Sequence, residues 1–326
     1  MDPCNYNSSY RTGANAAQVT ALCAAQSPAA GSPTFSYGVQ SANGIYQGNQ
    51  SLKPEVANTY SFGFVLTPRF HGMARDMGAS IDYYHILING AIAGATLNSI
   101  VQNCFNVNGS NPSYSQNNFY CQQLTRDPAS GAIVLAREFS LNIGSYLTEG
   151  VDVEGHWGFA LHDLGLSRAA GRVMLQTYVS YLDKLTISGV PGVANLNYAG
   201  SIGDTQTAMQ ADGTSVSDLS HPRWKANTMF GYTVGPVGAS LHWRFISAMA
   251  DMIDGSGSGD PGIAAYNYFD LDVNYHVTSK VELTGGLTNL FNKQPPRVAG
   301  APLLTDAATY DVMGRTYYVG VKANID

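Results

Sequence analysis

Gly150-Val151-Asp152-Val153-Glu154-Gly155-His156-Trp157-Gly158-Phe159 alternates: Val151, Val153, Trp157 and Phe159 share one parity, and Asp152, Glu154 and His156 the other. A period of two residues sends successive side chains to opposite faces of a strand, here one apolar and one polar. Soluble strands average about 5 to 6 residues, whereas a tilted strand needs about 10 to cross a bilayer. This run has the longer form.

Outward from that stretch the pattern returns. Val237, Ala239, Leu241, Trp243 and Phe245 oppose Ser240, His242 and Arg244, and Phe269, Leu271, Val273 and Tyr275 oppose Asp270, Asp272, Asn274 and His276. Val281, Leu283 and Leu287 oppose Glu282 and Thr284, and Tyr317, Val319, Val321 and Ile325 oppose Tyr318, Lys322 and Asn324. Weaker alternation covers 56–67, 77–92, 172–186 and 223–234. These runs predict about nine strands and no helix. Trp224, Tyr232, Trp243, Tyr266 and Tyr317 fall toward strand ends, as interfacial aromatic girdles do. Connections alternate between short turns, as at Val234-Gly235-Pro236 and Thr278-Ser279-Lys280, and long loops near 93–138, 187–222, 251–265 and 292–313. That is the layout of outer-membrane barrels.

Composition narrows the field. The 326 residues are 12% charged and 11% aromatic with a net charge of −6, so the chain is neither disordered nor an average soluble domain, which carries about 25% charge. No run approaches the ~20 apolar residues of a membrane helix. With 17 basic against 23 acidic residues, nucleic acid is not an expected partner. Cys4 with Cys23, and Cys104 with Cys121, read as local disulfides across polar loops of an oxidising compartment. No C-x-x-C spacing offers zinc a site, so no metal is expected.

Met1-Asp2-Pro3-Cys4 opens no secretory leader. A one-chain outer-membrane barrel has an even strand number, so about nine strands imply that preceding strands are missing. Residues 1–53 are expected to form an extracellular loop with a disulfide, and 54–326 the strands and loops of the barrel. The expected fold is all-β, an antiparallel transmembrane barrel portion left open with two free edges. Alternatives are a small passive porin or adhesin barrel and a soluble extracellular β-sandwich binding protein.

Leu52-Lys53-Pro54-Glu55, followed by Tyr60, Gly63 and Pro68, resembles the LKPE strand of TonB-dependent outer-membrane receptors. Residues 80–92, the run Glu149–Glu154, Thr288-Asn289-Leu290-Phe291-Asn292 and the closing Tyr310-Asp311-x-x-Gly314-Arg315-x-Tyr317 resemble later strands of that family, in order. The resemblance implies the C-terminal strands of a plugged barrel of about 22 strands, serving active uptake of a large nutrient such as a siderophore, cobalamin or an oligosaccharide. It implies outer-membrane lipid, the nutrient and the barrel-assembly machinery as partners, and the TonB complex only through the absent N-terminal part with its plug. The location implied is the outer membrane of a Gram-negative bacterium, long loops outside. Such receptors usually end on an aromatic residue, whereas this chain ends Asn324-Ile325-Asp326.

No G-x-S-x-G, H-E-x-x-H or P-loop occurs, so neither an enzyme nor a cofactor is expected. Gly255–Asp260 reads as a flexible loop tip, and Asp251, Asp254 and Asp260 do not match a calcium-loop template. His242 and His276 read as lumen hydrogen-bonding groups. Asp152 with Glu154, and Asp270 with Asp272, project in pairs as glycosidase carboxylates would. Hydration and cross-strand partners such as Arg244 and Lys322 account for them more simply. Ligand contact is expected on the Cys104–Cys121 loop, at Tyr114, Phe119 and Tyr120 beside Asn111, Gln116, Asn117 and Asn118, because large solutes need flat aromatic surface and hydrogen-bonding groups. Asp152, Glu154, His242 and Arg244 on the lumen wall are the next candidates.

Overall fold

The computed structural model describes residues 2–38, 42–68, 70–107, 109–188, 196–202, 220–251, 262–298 and 305–324. Nine long strands form one antiparallel sheet in chain order: β1 (Val56–Leu66), β2 (Asp76–Ala95), β3 (Ile133–Ala160), β4 (Arg172–Ser188), β5 (Trp224–Val234), β6 (Val237–Ile246), β7 (Tyr266–His276), β8 (Val281–Thr288) and β9 (Thr316–Ala323). Each strand pairs with its sequence neighbours, the up-and-down meander that the alternating turns and loops predicted. β1 and β9 stand at opposite ends of the strand order, and no ladder joins them among the described residues. A small closed porin would need that ladder, so the expected open sheet is what forms.

The register keeps each parity on one face. Val153 pairs with Ile81 and Val179, and the row passes through Phe64 on β1. Trp243 likewise pairs with Thr228 and Phe269. On the opposite face glycines make room for bulky polar neighbours. A Cβ on Gly158 would stand 2.8 Å from both Arg172 Nη2 and Asp76 Oδ2, which form an ion pair there. One on Gly150 would stand 2.3 Å from the Tyr181 carbonyl oxygen.

The LKPE segment is tied to the sheet at a bulge. Gly90, at φ +63°, interrupts the β2–β3 register beside Asn89 and Ala91. Asn142 on β3 donates to the Gly90 and Lys53 carbonyls, both at 2.8 Å, and accepts from the Lys53 N–H. Glu55 accepts from the Ile92 N–H at 2.6 Å.

The expectation of no helix is corrected. Short helices α1 (Ser9–Thr12), α2 (Ala16–Gln26) and α3 (Leu97–Cys104) lie in the loop segments, and a short strand, Asn43–Gln47, pairs parallel to β3 inside the stretch expected to be strand-free. α2 is rich in Ala, the strongest helix former, and buries Val19, Leu22 and Cys23, spaced three and four apart. α3 starts at a Thr96 cap whose hydroxyl accepts from the Ser99 N–H. Each of these two helices carries a disulfide cysteine, Cys23 on α2 and Cys104 on α3; α2 lacks a clear apolar stripe, and the stripe of α3, Leu97, Ile100, Val101 and Cys104, spans only eight residues.

Candidate ligand site

The long loops build two packed assemblies at one end of the sheet. The first is a cap. Cys4 bonds to Cys23 and Cys104 to Cys121, the expected pairings. Both disulfides sit in one apolar core with Val19, Leu22, Phe35, Phe105 and Ile133, which joins the N-terminal segment to the loop between β2 and β3. Arg126 locks that union: its guanidinium donates to both Asp2 carboxylate oxygens at 2.5 and 2.7 Å, to Gln26 Oε1 and to the Gly131 carbonyl. The pair is buried, with side-chain exposures of 1% and 0%. Burying a charge is costly unless it is paired and hydrogen-bonded, and here each is.

This packing decides what the cap aromatics present. Tyr114 and Tyr120 are partly buried against the core, and burial pushes the Tyr120 phenol above its ordinary value. Phe119 is 51% exposed, edge-on to Tyr120 and Phe139. Asn111 is buried and donates to the Cys104 and Ser115 carbonyls, and Asn118 donates to Ser110. Those two amides hold the loop in shape. Phe119 is the member of the aromatic trio that offers most surface.

The second assembly is a corner where β6, β7, β8 and β9 meet their loops. Arg244 lies between two carboxylates: Nε donates to Asp270 Oδ2 at 2.9 Å and Nη2 to Asp311 Oδ2 at 2.7 Å, with the guanidinium 5.0 Å from the Tyr268 ring centre. Asp270 also accepts from the Asn289 N–H at 2.7 Å. Asn289 and Asn292, at φ 54° and 52°, turn the chain after β8 in the left-handed region that Asn tolerates. Asn292 Oδ1 accepts from the Arg315 N–H, and a Cβ on Gly314, at φ +70°, would stand 2.9 Å from that oxygen. The Thr288–Asn292 and Tyr310–Arg315 segments thus interlock. Behind them Tyr268 and Tyr310 pack with Ile246, Met249 and Val298, and burial, followed by the Asp306 charge, pushes the Tyr310 phenol up.

The remaining lumen-wall candidates separate. His242 Nε2 lies 3.7 Å from Asp272 Oδ2, and the Tyr318 hydroxyl donates to Asp272. Asp152 pairs in register with Asp82 and Ser180, and Glu154 with Ser80 and Tyr178. Asp270 and Asp272 therefore serve different partners rather than one acid/base centre. Arg244 is the cross-strand partner expected of it, whereas Lys322 stands opposite Glu282. In the sequence Asp311 and Asn289 stand out only as parts of motifs, since contacts across 67 residues to Arg244 and 19 residues to Asp270 leave no local signal. Gly255–Asp260, Asp254 and Ile325 lie outside the described residues. Among the described residues no cluster of His, Cys, Asp or Glu is placed to hold a metal ion.

Comparison with known proteins adds the family. The model of the TonB dependent receptor-like β-barrel matches residues 5–290. Among solved structures, a mutant of the ferric enterobactin receptor PfeA of Pseudomonas aeruginosa is 17% identical over 86% of this chain and 32% of its own, with a TM-score of 0.51. The siderophore receptor PirA of Acinetobacter baumannii is 15% identical over 86% of this chain and 33% of its own, with a TM-score of 0.51. The chain spans about a third of the length of these structures. No curated protein matches.

Proposed function

The chain belongs to the TonB-dependent receptor-like β-barrel family, and on that premise we propose that it forms the C-terminal strands of an outer-membrane barrel for active uptake of a large nutrient. The observation that carries this reading is the nine-stranded open meander with short turns at one end and, among the described residues, the apolar loop clusters at the other. In this reading β1 and β9 are completed by strands that precede the chain. The plug and the TonB contact also belong to that preceding part, and the barrel-assembly machinery inserts the whole. Residues 1–53 and the Cys104–Cys121 loop stand outside the cell, where disulfides persist.

Ligand reaches the barrel from the capped end. Phe119 offers exposed aromatic surface at the cap, held edge-on by Tyr120 and Phe139, with Tyr114 packed against the cap core. On the lumen wall Arg244, His242, Asp152 and Glu154 supply charge and hydrogen bonds. The nutrient class is a siderophore, cobalamin or an oligosaccharide. The test is growth of a host lacking this chain, with iron supplied as a ferric siderophore, with cobalamin, or with an oligosaccharide as limiting nutrient. Loss of growth on one of the three is expected. Equal growth with and without the chain on all three contradicts the proposal.

A further inference from the structure

Along the apolar face the residue character changes at one row, from wholly aromatic and aliphatic to mixed polar and aliphatic. Tyr60, His85, Glu149 and Lys184 stand directly opposite one another on β1, β2, β3 and β4. They occupy the same face as Val153 and Trp157, yet they form a polar ladder. Glu149, only 10% exposed in its side chain, accepts from His85 Nδ1 at 2.8 Å, from the Tyr83 hydroxyl at 3.3 Å and from the Lys184 ammonium. Tyr60 stacks on His85 with ring centres 4.5 Å apart. The carboxylate is satisfied by three donors, so the row carries charge on this face without leaving a buried polar group unpaired.

The rows on either side differ in kind. Toward the short turns come Phe62, Tyr83, Val151 and Tyr181, then Phe64, Ile81, Val153 and Val179. Toward the long loops come Asn58, Leu87, Leu147 and Thr186, then Val56, Asn89, Ser145 and Ser188, where the last two hydroxyls hydrogen-bond at 2.6 Å. Tyr181 and Trp224 pack with ring centres 4.5 Å apart one row below the ladder, where an interfacial girdle belongs.

Distance agrees with character. Phe159, in the last apolar row of β3, lies ten residues beyond Glu149, or about 33 Å along the strand. At a tilt of about 45° this is about 23 Å of height, close to the ~25 Å apolar band of outer-membrane barrels.

We infer that the lipid boundary on the long-loop side crosses β3 at Glu149, within the Tyr60–His85–Glu149–Lys184 ladder, which steps through about 10 Å of height across its four tilted strands, and that this ladder is the polar anchor setting the depth of the sheet in the membrane. The inference rests on the reading of the apolar face as lipid-facing. Its consequence is that β2 and β3 continue past the bilayer and hold the cap clear of the lipid surface.

The test is a scan of single cysteines on the apolar face of β3 in the membrane-inserted protein, read by reaction with a water-soluble maleimide; the four native cysteines are all in disulfides. Val151→Cys and Val153→Cys should be protected, and Leu147→Cys and Ser145→Cys should react many times faster. In a Glu149→Leu, Lys184→Leu background the reaction at Leu147→Cys should slow as lipid advances. Protection at all four positions overturns the boundary while leaving the membrane reading intact. Reaction at all four overturns both.

Discussion

Asp311 Oδ2 lies 2.7 Å from Arg244 Nη2, joining a loop residue to a strand 67 positions earlier in the chain. Arg244 also holds Asp270, which receives the Asn289 N–H. One guanidinium therefore fastens the β8–β9 connection to the sheet at two points.

Replacing Asp311 by Asn should loosen that connection by about 1–3 kcal/mol, the range for hydrogen bonds to charged groups at a partly exposed site. Limited proteolysis within 289–315 should quicken while the strands stay protected. Arg244→Lys should behave similarly, because an ammonium cannot repeat the forked contact to two carboxylates. Cleavage at the wild-type rate in both variants would contradict the role given to Arg244.

The cap depends on its disulfides. Cys104→Ser with Cys121→Ser opens a loop whose ends are 17 residues apart, worth about 3 kcal/mol in the chain-entropy model. Proteases should then cut 105–120 under conditions where the wild-type cap resists. Extraction from the membrane and strand protection should not change, since both disulfides lie in the loop core.

Arg126→Met should cost more than the double variant Asp2→Asn, Arg126→Met. The single change leaves the Asp2 carboxylate buried without its partner, a loss of about 3–5 kcal/mol, whereas removing both charges avoids most of that penalty. Cap stability measured by proteolysis in increasing denaturant separates the two. Equal stability of both variants would show that the ion pair does not hold the cap.

Two sheet glycines should respond in opposite ways to Ala. At Gly150 the new Cβ meets the Tyr181 carbonyl oxygen at 2.3 Å, a backbone atom that cannot swing aside, whereas at Gly285 the nearest atom is the Tyr318 carbonyl oxygen at an ordinary 3.6 Å. Overpacking of the first kind costs about 1–3 kcal/mol. Gly150→Ala should lower the yield of membrane-inserted protein, and Gly285→Ala should not.

The strands were legible because a two-residue period is a local signal: Asp152, Glu154 and His156 against Val151, Val153 and Trp157 declare a strand whatever surrounds them. The disulfides were legible from spacing within single loops. The cap was not, because its core joins Val19 and Leu22 to Val101 and Phe105 across some eighty residues, and Arg126 finds Asp2 only after both segments fold. α2 escaped for a different reason: an Ala-rich helix of 11 residues, with three buried side chains, shows no clear amphipathic stripe. The ladder through Glu149 was hidden by a register shift beside Gly150, which brings Lys184 rather than Asp183 opposite Glu149. Counting parity from sequence cannot see a bulge.

Contact of the apolar face with lipid is tested directly by the three tryptophans. Trp157, Trp224 and Trp243 all share the face that carries Val153, Val179 and Leu271. The protein reconstituted in vesicles whose acyl chains carry bromine, a contact quencher of tryptophan emission, should lose most of its fluorescence relative to vesicles of the same lipid without bromine. Equal emission in the two kinds of vesicle would place that face away from lipid and contradict the membrane reading of the sheet.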